Sequence, residues 1–359
     1  MLGILKYRIA VILILGMVLG IAWTLPQRVN PYCFPELEFF PEMPHSSINP
    51  VTEEGVELGR YLFYDPILSR DKTFSCGSCH RQEVAFSDAP NALSKGIDGE
   101  LMKRNTPPLF NLAWHPGLFW DGRAESLESQ VWEPVRSHAE MDLDWSTAAE
   151  RIQASSFYRP LFVQAFGNRP IDSVTIALAI AQFERTLLSN NSKYDRVLRG
   201  EDHFTQDEIE GFLNVNDQSM GNCLHCHVTD RHALGTTAEF TNNGLIPGEV
   251  ASDYTDPGRF TVTGDTTDLG KFKIPTLRNI MVTAPYMHDG RFKTMREVLD
   301  FYSEDVHSTS HTDPKMVDAH RGGRHFTEEE KDQIIAFLNT LTDEQLLTNP
   351  AFSDPFEKR

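Results

Sequence analysis

The sequence predicts a mainly α protein in two halves with long irregular loops. Three observations carry this expectation. Helix-capping signatures precede apolar stripes at helical spacing in several places. Long runs that alternate apolar and polar residues, as half-buried strands do, are absent. Finally, the pattern C-x-x-C-H occurs twice, as Cys76-Gly77-Ser78-Cys79-His80 and as Cys223-Leu224-His225-Cys226-His227, 147 residues apart. That spacing is the attachment signature of c-type haem. Two thiols bond to the vinyl groups, and the adjacent His offers a ring nitrogen to the iron. A zinc ribbon would need a second C-x-x-C near each first one. A redox dithiol leaves the following His unexplained. The halves are therefore expected to be two cytochrome c-like haem domains, in which the cofactor fills part of the core.

The chain begins with Lys6 and Arg8 ahead of an apolar run from Ile9 to Trp23. The run is shorter than the roughly 18–20 residues of a comfortable membrane span, and Gly20-Ile21-Ala22 is a weak cleavage site. Residues 1–25 thus read as a signal peptide or an inner-membrane anchor, with both open. Either exports the body and leaves the basic end in the cytoplasm. Export to the periplasm suits c-type attachment, which takes place outside the cytoplasm. Residues 26–48, rich in Pro and aromatics, read as an extended linker.

The N-terminal domain is expected over 49–200. Thr52 to Tyr64 reads as a helix with Val56, Leu58, Leu62 and Phe63 on one face. A loop over 65–75 leads into the first motif. Breakers such as Pro90, Gly96, Pro107 and Pro108 make 81–119 irregular. A helical stretch starts at Ser126. Ser173 is the expected N-cap of a helix to about Ser189, with the stripe Ile176, Ile180, Phe183 and Leu187. The halves divide near Arg199-Gly200-Glu201-Asp202. In the C-terminal domain, 201–349, Thr205-x-x-Glu208 caps a helix through Val215, and Thr327-x-x-Glu330 caps a closing helix. Residues 228–272 read as irregular, and 350–359 as a tail.

The balance of 33 basic and 51 acidic residues, net −18, argues against nucleic acid and is compatible with a basic protein partner. Four of five Cys belong to the motifs, which leaves Cys33 alone without an intrachain disulfide partner.

Two haems suggest a division of labour. Iron with two strong protein ligands moves electrons, and iron with an open sixth position can bind peroxide or oxygen. Breaking the oxygen–oxygen bond needs a group that takes a proton from one oxygen and returns it to the other. A carboxylate can do this. Glu125, Glu128, Glu133 and Glu140 all follow Asp121-Gly122-Arg123, and composition does not choose among them.

From about Asn49 to Phe356 the chain resembles the bacterial di-haem cytochrome c peroxidases and their MauG-type relatives. The segments that carry the resemblance include Leu58-Gly59-Arg60-Tyr61-Leu62-Phe63, the two C-x-x-C-H motifs, Arg104-Asn105-Thr106-Pro107 and Phe119-Trp120-Asp121-Gly122-Arg123-Ala124. They continue with Phe183-Glu184-Arg185-Thr186-Leu187, Lys273-Ile274-Pro275-Thr276-Leu277-Arg278-Asn279 and Thr283 to Gly290. The resemblance implies a peroxidatic haem on His80 and an electron-transfer haem on His227. It implies distal roles for Gln130 and Glu140, with Glu140 the acid–base group, and a role for Trp120 in carrying electrons between the haems. It places Asn105, Thr283 and Pro285 around a calcium ion.

Two departures from the well-known peroxidases stand out. Residues 81–114 lack the His that blocks the first iron until reduction, and Ile97 and Asp98 lie near its place. Tyr302 falls where those enzymes ligate the second iron with Met, as it does in MauG-type enzymes; Met316 is the fallback ligand, and Met281, Met287 and Met295 read as core. The implied function is reduction of hydrogen peroxide with electrons from a small redox protein, a cytochrome c or a copper protein. The alternatives are MauG-like oxidation of residues on a partner protein and plain electron carriage. Monomer and homodimer both stay open.

Overall fold

The structure, a computed structural model, describes residues 29–217, 221–228 and 234–357. The expected signal or anchor, 1–25, lies outside them. Among the described residues no helix is long and apolar enough to cross a membrane.

In the first half, α1 (Glu53–Tyr64) starts at Thr52, whose hydroxyl accepts from Gly55 N at 3.1 Å. Its Leu58, Leu62 and Phe63 are fully buried. The short α2 (Cys76–Cys79), α3 (Leu127–Gln130) and α4 (Trp132–Arg136) punctuate long loops, and α5 (Trp145–Ala154) and α6 (Tyr158–Phe166) flank the core. The central α7 (Ser173–Thr186) lies against α1. A Cβ on Gly59 would sit 2.0 Å from the Ala179 carbonyl oxygen, so only glycine permits this backbone approach.

Two boundaries of α7 differ from expectation. Its N-cap is Asp172, whose carboxylate accepts from Thr175 N at 2.9 Å, so Ser173 is the first helical residue. The helix ends at Thr186 because Asn111 competes for the next groups. Asn111 N donates to Leu187 O, and its side-chain amide bonds both backbone groups of Ser189.

Helix α8 (Lys193–Leu198) closes the first half, and the second half holds α9 (Gln206–Asn216), a two-residue strand β1 (Phe240–Thr241) and α10 (Phe260–Thr263). Strand β2 (Phe272–Lys273), α11 (Met295–Glu304), α12 (Glu328–Asn339) and α13 (Glu344–Thr348) follow. The expected capping boxes are present at Thr205 and Thr327. Helices α9 and α12 meet through Phe204, Phe212 and Phe337, whose rings lie 5.5–6.3 Å apart. Strands β1 and β2 pair antiparallel, with Phe240 opposite Lys273. Helix α11 carries Tyr302 two residues before its end.

The halves are tied by buried polar contacts. Arg278, fully buried, pairs with Asp195 (Nη1–Oδ1 3.0 Å) and donates to Ser189 Oγ at 3.2 Å. Such a pair is costly to break, since removing one partner strands the other charge. The C-terminal tail docks on the first half. Arg60 donates to Ser353 O at 2.7 Å, Tyr64 to Phe352 O at 2.7 Å, and Leu346 and Phe352 join the first core. The described part of the linker lies across the body, with Tyr32 N on Val51 O and Trp114 Nε1 on Pro41 O. Cys33 is exposed.

Candidate haem-binding active site

The first motif forms the single turn α2, with His80 N bonded to Cys76 O at 2.9 Å. One turn therefore carries both thiols and the imidazole. The chain then bends through Ala85 and Phe86, both in the left-handed region (φ 55° and 58°). The bend brings Phe86 O to His80 Nδ1 at 2.7 Å. A carbonyl there accepts Nδ1–H and leaves the Nε2 lone pair for a metal. Burial pushes His80 down to about 4, so it stays neutral.

His80, Cys76 and Cys79 line a cavity together with Gln130, Glu140 and Glu184. A neutral imidazole with its outer nitrogen pre-bonded, two thiols one turn away and an adjoining void fit a covalent haem.

The second motif repeats the device. Cys223–His225 is a 3-10 turn, and His227 N bonds Cys223 O at 2.7 Å. His227 Nδ1 meets Pro275 O at 3.0 Å, and burial takes the ring down to about 4. Tyr302 lies within electrostatic reach of this motif. Burial first, and then the Cys226 and Cys223 thiols, push its phenol up to about 12, while a hydrogen bond from Asn243 Nδ2 at 3.0 Å opposes the rise. Met316 packs against the same small apolar cluster as Tyr302, around Phe301 and Val306. Met295 is buried in the core between α9 and α12, and Met281 and Met287 pack against it.

The structure separates the four glutamates. Glu125 is exposed. Glu128 pairs with Arg185 at 2.7 Å and accepts from Asn49 at 2.6 Å. Glu133 holds Arg123 at 2.7 Å. Glu140 alone of the four lines the cavity, with Gln130 beside it. Its backbone is pinned on both sides, Glu140 N to Ser137 O at 2.9 Å and Ile97 N to Glu140 O at 3.0 Å. Gly96 touches the same turn so closely that a Cβ would lie 1.6 Å from Ala139 O. Burial raises the Glu140 pKa, and the Arg123 charge pulls it partly back. Asp98 points away from the cavity and pairs with Arg70 on the surface.

Trp120 is buried at the seam between halves. Its Nε1 donates to Asn105 O at 2.8 Å, and its own carbonyl accepts Lys273 N at 2.7 Å. Asn105 N donates to His288 O at 2.7 Å, which seats it against the turn that carries Thr283 and Pro285. Asn105 Nδ2 donates to Ala92 O at 2.9 Å, so the amide oxygen is the acceptor left over.

Sequence reasoning passed over Glu184, Lys273 and Asn243. Glu184 is 3% exposed, and its Oε2 has no partner among the described residues. Burial pushes it up to about 8, so it is largely protonated at neutral pH. The available signal was a charged residue inside the apolar run of α7. Lys273 offered the same signal beside Ile274-Pro275.

Residues 53–203 match the family described as di-haem cytochrome c peroxidase. The chain is 35% identical over 301 residues to the methylamine utilization protein MauG of Methylorubrum extorquens, across 83% of this chain and 81% of that protein. It is 32% identical over 306 residues to the cytochrome c551 peroxidase of Nitrosomonas europaea, across 85% of each. Among solved structures, a MauG-like protein associated with microbial copper homeostasis matches with a TM-score of 0.81 at 36% identity, covering 91% of this chain and 100% of that one. Fold and motifs together define a haem peroxidase-type oxidoreductase. The chain belongs to the di-haem cytochrome c peroxidase and MauG family, and membership implies two c-type haems.

Proposed function

We propose that this chain reduces hydrogen peroxide to water in the cavity at His80, using electrons that a small redox protein delivers through the second half. The observation that carries this reading is the convergence of His80, Gln130 and Glu140 on one cavity whose described lining holds a single imidazole. Cys76 and Cys79 would hold one haem, with His80 on its iron; Cys223 and Cys226 would hold the other, with His227. Bound haem supplies a redox-active iron, able to take peroxide where a position is open and to pass electrons where both are filled.

The chain's own residues do the rest. The Phe86 and Pro275 carbonyls fix the tautomers of the two ligating histidines. Gln130 orients peroxide. Glu140 takes the proton from the nearer oxygen and returns it to the farther one, so that oxygen leaves as water. Its raised pKa favours the task, because a proton shuttle works best near the operating pH. Trp120, bonded to segments of both halves, lies on the electron path. Tyr302 would be the other residue holding the haem iron in the second half. Asn105, Thr283 and Pro285 offer hard oxygen donors of the kind calcium prefers. The N-terminal segment directs the protein to the periplasm, and the net charge of −18 suits a basic cytochrome c as donor, with a copper protein as the other class.

Tyr302 also favours a second reading, MauG-like oxidation of residues on a partner protein. One experiment separates the two. Purified protein is mixed with peroxide, with and without reduced cytochrome c. Fast donor oxidation that needs no prior reduction of the enzyme supports the first reading. Peroxide consumption with the donor left reduced supports the second. No consumption refutes both.

A further inference from the structure

We infer that Lys273 and His115 form a carboxylate-binding pocket at the seam between the halves, and that its ligand is a propionate of the haem carried at His227. Buried charges are normally paired. Lys273 is 7% exposed, yet its amine makes no hydrogen bond or ion pair with the described residues. Burial alone pulls it down to about 8, with no nearby acid to oppose the fall.

His115 presents the matching deficit. Its Nδ1 is buried and has no partner among the described residues. The Lys273 charge adds to burial in holding the His115 ring neutral, so the two groups share one neighbourhood.

Each half supplies one of the pair. His115 follows the 3-10 turn Leu112–Trp114, and Lys273 sits on β2 with its backbone bonded to Trp120 O at 2.7 Å. Acids on the adjoining segments are engaged elsewhere. Asp121 and Asp256 hold Arg104, each at 2.6 Å; Asp268 holds Lys271 at 3.1 Å; Glu239 holds Lys315 at 2.7 Å. None of these described acids is left over, which points to an anion from outside the polypeptide. An ammonium beside one imidazole N–H suits a carboxylate. Lys273 is two residues from Pro275, whose carbonyl holds His227 Nδ1 at 3.0 Å. A propionate of the His227 haem is thus the carboxylate source in reach.

The inference rests on the haem-binding reading above, and haem content per chain, measured on the same samples, separates the two. The test compares Lys273→Met, Lys273→Gln, Lys273→Arg and His115→Asn by spectroelectrochemical titration of both haems. A positive charge beside a propionate favours the reduced iron. Neutralising it should lower the reduction equilibrium of the His227 haem by on the order of tenfold, about 59 mV for a one-electron couple. Lys273→Arg should stay close to wild type, and His115→Asn should move the same haem in the same direction by less. Unchanged potentials in the neutral variants would overturn the pocket. A shift confined to the His80 haem would overturn the assignment to the second haem. If the neutral lysine variants fail to accumulate, His115→Asn decides alone, and an unchanged potential there counts against the pocket. Wild-type protein with fewer than two haems would defeat the haem reading itself.

Discussion

Glu140→Gln removes a proton-accepting oxygen and changes little else. Gln has the same shape, and the backbone at this position is held by Ser137 O and Ile97 N at 2.9 and 3.0 Å. Both haems should therefore still attach. Gln130 remains in the cavity and can orient peroxide, but an amide cannot take its proton. A positioned acid–base group contributes about a hundred- to ten-thousand-fold, or about 3–5 kcal/mol of barrier. The variant should slow the single-turnover reaction with peroxide by that range, read by stopped-flow absorbance at matched haem content. The pH profile gives an independent check. The base form of Glu140 is lost as pH falls through its raised pKa, so the wild-type rate should drop on an acid limb lying above the ordinary Glu value of about 4.3. The variant should lack that limb. Arg123→Gln should move the limb to higher pH, because the Arg123 charge lowers the Glu140 pKa. A rate unchanged in Glu140→Gln, with the limb intact, would refute the assignment and leave water or another group as the shuttle.

Denatured, acid-extracted protein should keep its colour and the mass of two haems; one or none would refute attachment at the two motifs. Tyr302→Phe should change the spin state of one haem only, and wild type should lack the near-infrared band of Met ligation. A wild-type spectrum in Tyr302→Phe, with Met316→Ala altered, would give the ligand role to Met316. Glu184 should make stability depend on pH. Its folded pKa is raised from about 4.5 to about 8, so the native state holds a proton that the unfolded chain releases in that window. Stability should fall as pH rises through the window, by on the order of 5 kcal/mol at ~1.4 kcal/mol per unit. Thermal melts of Glu184→Gln should lose that slope, and an equal slope in both proteins would rule the carboxyl out as its source.

Local patterns in the sequence were enough to foresee much of this molecule. The two C-x-x-C-H motifs each demand one turn of chain, so the thiols and histidines could be placed without knowing what surrounds them. Thr52, Thr205 and Thr327 cap helices through bonds that span three residues, and such short-range chemistry survives in any fold. The misplaced ends of α7 show where that logic stops. Asn111, more than sixty residues away in the chain, takes the backbone groups that would have extended the helix.

The same limit governed the site. Four glutamates within sixteen residues look alike in sequence, and the resemblance singled out Glu140. In the structure, packing sends Glu128 to Arg185 and Glu133 to Arg123, and leaves Glu140 against the cavity. Glu184 and Lys273 each stand out in the sequence as a charge beside apolar residues, but that signal does not say whether the fold supplies a partner. What makes each unusual is the absence of a partner among the described residues in three dimensions. Partnering across the seam is decided by long-range contacts, and those exist only once both halves are folded against each other.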